Sequence, residues 1–198
     1  RLQGDWSSDV CSSDLADLFI TVDAGVLWQA AEQGILAKVD SEFLDSRIPN
    51  YLRDPDNQWF GLSKRLRTIV VSDVGLLESP QTYEDLSSEK WKNRLCLRTS
   101  QKVYNQSLIA SLISNIGEDH ATKVVGGWVN NLSTKVFSSD TLALKAVQAG
   151  QCDATIVNSY YLARLFADDE GTNLNLVWAN QGSTGVHVNI SGGGLVKY

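Results

Sequence analysis

Cys152-Asp153-Ala154-Thr155-Ile156-Val157-Asn158-Ser159-Tyr160-Tyr161-Leu162-Ala163-Arg164 runs from a β-branched apolar segment straight into two adjacent phenols. The first half reads as a buried strand, and Asn158 or Ser159 can cap a following helix by accepting a backbone N–H. Tyr160 and Tyr161 then fall in the first helical turn. Neighbours on a helix point about 100° apart, so both rings share a target only near the helix N-terminus. Free backbone N–H groups gather there, and an anion is favoured.

A second junction has the same form. Leu95-Cys96-Leu97 is strand-like and leads through Arg98-Thr99-Ser100-Gln101-Lys102-Val103 to Tyr104. Three converging phenols would make a hard, oxygen-rich pocket suited to a small, highly charged cation. A phenol with a reference pKa near 10 stays protonated at neutral pH, but a bound metal deprotonates its ligands. Tyrosinate is an iron ligand in haem proteins. A tyrosine pair also serves simply for packing with a rim hydrogen bond, and spacing alone does not separate the two.

Four stretches taken together do separate them: Ala16 to Gly25 (ADLFITVDAG), Leu52 to Ser63 (LRDPDNQWFGLS), Arg98 to Ser107 (RTSQKVYNQS) and Asn158-Ser159-Tyr160-Tyr161. Across nearly all of 16–198 the chain resembles the periplasmic ferric-iron-binding proteins of ABC importers, in the tyrosine-rich, cyanobacterial-type branch. The resemblance implies an α/β, bilobal periplasmic-binding-protein (type II) fold, with lobe 2 (72–178) near complete and lobe 1 (16–71 and 179–198) partial. It implies Tyr104, Tyr160 and Tyr161 as ligands of Fe(III), with Arg98 as a contact to a synergistic anion such as carbonate. Thr99 and Asn158 are weaker candidates for anion or supporting hydrogen bonds. Other branches carry a glutamate where this chain has Val22, so that ligand is absent. The family's N-terminal tyrosine or histidine ligand is expected upstream of Ala16, and the chain reads as cut at both ends.

Composition sets bounds. At 198 residues, 43% hydrophobic and 20% charged, this is ordinary globular material for one large or two small domains. A formal charge of -6 argues against nucleic acid or an anionic membrane as partner. The short basic run Lys64-Arg65-Leu66-Arg67 reads as a solvated strand entry. No apolar run is long enough to span a bilayer, and no signal peptide is visible. Asp5 to Leu15 resembles a translated sequencing adapter, so residues 1–15 are set aside as non-native. Arg1 against Asp5, Asp9 and Asp14 takes two negative charges with it, leaving four.

Cys96 and Cys152 each lie in a strand leading to a tyrosine junction. If those strands are neighbours, an oxidising compartment would let them pair; otherwise they are two small buried hydrophobes. Neither Cys-x-x-Cys nor zinc-type Cys/His spacing occurs.

In order, Leu18 to Val22 reads as a strand and Ala24 to Gln33 as a helix closed by Gly34. A short helix is expected from Asp40. Asn57 to Gly61 belongs to packing or a cleft wall. Arg67 to Ser72 is a strand, one of two hinge strands by resemblance. Tyr83 to Trp91 suggests a short helix, Asn105 to Gly117 an amphipathic one, and Glu118 to Leu132 another, weakened by Gly126-Gly127. Ser138-Ser139-Asp140 caps a helix over Thr141 to Ala149, with capping preferred over a cleft role for Asp140. A strand over Asn173 to Trp178 and one over Val186 to Ile190 follow. Ser191 to Gly194 reads as a loose turn, not a P-loop. His120 is expected exposed, and His187 structural.

The expected function is capture of Fe(III) by an extracytoplasmic, monomeric solute-binding protein that delivers it to an ABC transporter permease. A bilobal protein for another small solute, such as an oxyanion or polyamine, is the alternative. No nucleophile–base pair or carboxylate dyad lies near the tyrosines, so no enzyme is expected.

Overall fold

A computed structural model describes residues 16–75, 78–133, 136–168 and 173–197. The adapter-like segment 1–15 lies outside the described residues. The chain divides into two compact units, Arg1–Ser63 with Ile190–Tyr198, and Lys64–Asn189. The expected lobe limits were 71/72 and 178/179. The units divide instead at 63/64, before the stretch of β2 that pairs with 154–158 and 174–177, and at 189/190 inside the last strand.

In the first unit, β1 (Leu18–Thr21) lies antiparallel to the end of β6 (His187–Leu195), with Leu18 opposite Leu195 and Thr21 opposite Gly192. Helix α1 (Ala24–Glu32) follows, its first turn closed by Val26 N–H donating to Asp23 Oδ1 at 3.1 Å. Ala30, Ala31 and Leu36 are buried with Phe19 and Trp59 packed on them. Trp59 therefore serves packing. A short α2 (Glu42–Arg47) is capped by Ser41.

The expected loose turn at Ser191 to Gly194 is instead strand. A β-carbon at Gly192 would lie 2.5 Å from the Phe60 carbonyl oxygen, one at Gly193 2.9 Å from that of Phe19, and one at Gly194 2.3 Å from that of Gln58. The glycines permit backbones to approach where no side chain fits.

In the second unit, β2 (Phe60–Ser72) contributes its C-terminal half. Arg67 pairs with Asn158 and Val71 with Ala154 of β4 (Ala154–Asn158), while Ile69 to Ser72 pair with β5 (Leu174–Val177) on the other side. A short β3 (Leu95–Cys96) runs parallel to β4. Strand alternation gives two faces. Ile69, Val71, Ala154 and Ile156 share a core with α3 (Val103–Ile116) and α4 (Glu118–Asn130). Val70 and Val157 share another with α5 (Asp140–Gln148) and α6 (Ser159–Ala167). This is the α/β layering expected.

Several local readings shift. Tyr83 to Trp91 forms two 3-10 turns, Glu84–Ser87 and Glu89–Trp91, rather than one helix. Gly127 belongs inside α4 because a β-carbon there would meet Ser87 Cβ at 2.5 Å, whereas Gly126 faces open space. Phe137 makes a single parallel bridge, to Arg98. His120 is exposed, as expected. His187 is half-buried, its backbone N–H donating to the Tyr83 hydroxyl at 3.1 Å.

Cys96 and Cys152 form a disulfide, with Cα atoms 5.8 Å apart. Of the two outcomes open from sequence, the paired one holds, although only Cys96 is in a strand: Cys152 stands two residues before β4, which lies beside β3.

Candidate metal centre

β3 and β4 run in the same direction, so their carboxyl ends open on the same edge of the second unit. The chain leaves β3 through Arg98 and Thr99 and enters α3, with Tyr104 in its first turn. It leaves β4 at Asn158 and enters α6, with Tyr160 and Tyr161 in its first turn. The edge beyond parallel strand ends is a common place for ligands in α/β sheets.

The Tyr160 and Tyr161 rings have centroids 4.2 Å apart and are tilted by 32°. The Tyr160 phenol is pushed up from its ordinary range, chiefly by burial, then by its hydrogen bond with Tyr161 and by the charges of Tyr161 and Tyr104. Tyr104 thus acts electrostatically on Tyr160. Its own ring is flanked by two guanidiniums, Arg65 at 5.0 Å and Arg98 at 5.6 Å from the centroid. Arg164 lies 5.8 Å from the Tyr160 ring. Among the described residues no group of three or more His, Cys, Asp or Glu could hold a metal. Phenols flanked by guanidiniums are the donor set on offer, and cations nearby offset the charge that phenolates would gather.

Asn158 stands at the N-cap position of α6, but its side chain makes no capping bond. Its Nδ2 is buried with no hydrogen-bond partner, and its side chain works against the upward push on the Tyr160 phenol. The Thr99 hydroxyl accepts from Gln101 N–H at 3.4 Å, shaping the turn before α3. Arg98 donates from Nε to the Ser138 carbonyl at 3.1 Å.

Sequence reasoning passed over three residues. Arg65 and Arg67 are buried, 9% and 2% exposed, so the basic run is not a solvated strand entry. On a strand, residues two apart share a face. That spacing was the signal that both point at one place. Arg67 Nη1 donates to Asp140 Oδ2 at 2.6 Å, and Nη2 to Asn105 Oδ1 at 2.5 Å. Burial works against the Arg67 charge, and Asp140 works for it. Asp140 is not the cap of α5: Ser139 is, accepting from Leu142 N–H at 3.2 Å. Asp140 is fully buried instead, accepting from Asn158 N–H at 3.0 Å, with Arg98 Nη1 3.5 Å from Oδ1.

Comparison with known proteins places this geometry in context. The model of the family described as bacterial extracellular solute-binding protein matches residues 13–188. Iron uptake protein A1 of Synechocystis is 40% identical over 189 residues, 92% of this chain and 52% of that protein. The structure of Trichodesmium IdiA (FutA) in complex with iron and citrate ligands matches with TM-score 0.84 and 45% identity, over 92% of this chain and 60% of that one. The ferric binding protein from Campylobacter jejuni matches with TM-score 0.87 and 33% identity, over 93% and 61%. The chain therefore spans about half the length of the curated relative, 52%. The fold is the type II periplasmic-binding-protein fold of the solved ferric-binding proteins. With the family model covering most of its length, the chain belongs to the bacterial extracellular solute-binding proteins.

Proposed function

We propose that this chain captures ferric ion outside the cytoplasm through phenolate oxygens of Tyr104, Tyr160 and Tyr161, and that the protein delivers it as a monomer to an ABC transporter permease. The observation that carries this reading is the placement of Tyr104 and of the Tyr160–Tyr161 pair in the first turns of two helices that follow adjacent parallel strands, with Arg65 and Arg98 against the Tyr104 ring. Three phenolates balance the charge of Fe(III). Arg98, with its planar fork, then serves a synergistic anion such as carbonate or excess phenolate charge. Asn158 and Thr99 assist by hydrogen bonding and by shaping the turn. The iron in the names of related proteins points the same way. The role is binding and release, with no bond-making chemistry.

The test is to add ferric citrate to the purified protein and record the visible spectrum. A phenolate-to-iron charge-transfer band is expected, and it should vanish in Tyr160→Phe/Tyr161→Phe. A protein that stays colourless overturns the reading. Solute binding that survives the double substitution would favour an oxyanion or polyamine ligand instead.

A further inference from the structure

We propose that Asp140 is the positioning residue that sets the two tyrosine-bearing junctions in register and keeps Arg98 at hand beside them. This rests on the ferric reading above. Asp140 Oδ2 receives Asn158 N–H at 3.0 Å, fixing the backbone two residues before Tyr160. The same oxygen receives Arg67 Nη1 at 2.6 Å, and Arg67 in turn holds Asn105, the residue after Tyr104. Asn105 Nδ2 closes the circuit by donating to the carbonyls of Arg98 at 2.7 Å and Thr99 at 3.2 Å. One carboxylate thereby ties the start of α6 to the start of α3.

The other carboxylate oxygen is held differently. Asp140 Oδ1 and Arg98 Nη1 are 3.5 Å apart, and both atoms are buried with no hydrogen-bond partner. A buried ion pair without its hydrogen bond grips weakly, since desolvation consumes most of the attraction. Arg98, with Nε on the Ser138 carbonyl and Nη1 turned to Asp140, is thus retained near Tyr104. Stability alone does not call for this arrangement, because apolar residues of similar volume commonly replace a buried ion pair without loss.

The experiment compares wild type with Asp140→Asn, which keeps an acceptor for Asn158 N–H but removes the charge. Ferric citrate titration gives the affinity and the charge-transfer band, and iron-free NMR gives the proximity of the Tyr104 and Tyr160 rings. The variant is expected to bind iron about 10–100-fold more weakly, with a shifted band and a changed separation of the two rings. If it melts below the working temperature, the same measurements go to Asp140→Asn/Arg67→Gln, which neutralises both partners. A folded variant with wild-type affinity, band and ring separation overturns the proposal while leaving the ferric reading intact. A wild type without the band sinks the ferric reading, and the iron-free ring separation still decides whether Asp140 positions the tyrosines.

Discussion

Gly127 in α4 passes so close to Ser87 that a β-carbon on it would stand 2.5 Å from Ser87 Cβ and 2.7 Å from the Ser87 carbonyl oxygen. Its neighbour Gly126 has nothing within 4 Å of the same position. Alanine should therefore act oppositely at the two sites. Gly127→Ala forces the 3-10 turn off the helix and is expected to destabilise by about 1–3 kcal/mol. Gly126→Ala gains helix propensity and should stabilise by about 0.5–1 kcal/mol. Urea melts of both variants check the sign.

The disulfide between Cys96 and Cys152 closes a loop across 56 residues of separation. Chain-entropy reasoning assigns such a crosslink about 4 kcal/mol at most. Cys96→Ser/Cys152→Ser, or full reduction, should lower unfolding stability by about 2–4 kcal/mol. The shift in urea midpoint under reducing and non-reducing conditions measures it.

Tyr83 makes the fold sensitive to alkali. Its hydroxyl donates to the Arg67 carbonyl and accepts from His187 N–H, and burial pushes its phenol up to about 12. The unfolded phenol ionises near 10. Between these values the folded state keeps a proton that the unfolded state has lost, so stability falls as pH rises through that window. The slope for one proton is about 1.4 kcal/mol per pH unit. Below pH 10 the contribution is fully present. Tyr83→Phe should flatten this part of the stability profile, measured by urea melts at successive pH values.

Tyr104→Phe keeps the ring between Arg65 and Arg98 but removes the hydroxyl. Stability should change by no more than about 1 kcal/mol. Ferric affinity should drop at least about tenfold, and the charge-transfer band should weaken, read by titration beside the wild type.

Much of this was legible in the sequence because the signals are short-range. Val70, Val71, Ile156 and Val157 carry the β-branched runs of central strands, and Leu108 with Leu112 carries the helical repeat of α3. The two strand-to-helix junctions with their tyrosines were likewise readable. Asp140 was not, because its meaning lies in Arg67, 73 residues away, and a serine-rich helix start offers a simpler local role. The Gly192 to Gly194 strand was hidden for the opposite reason: glycine carries no side chain to alternate, so a close-packed strand and a loose turn look the same. Arg65 and Arg67 were misread because charge suggests solvent, although their spacing of two already put them on one face.

That glycine strand also decides where the molecule can be handled. Gly192, Gly193 and Gly194 each leave less than 3 Å for a first side-chain atom, so a cysteine introduced there to carry a fluorophore would displace backbone before the dye was ever attached. Val188, in the same strand and 45% exposed, offers the opposite surroundings and is the place for such a reporter.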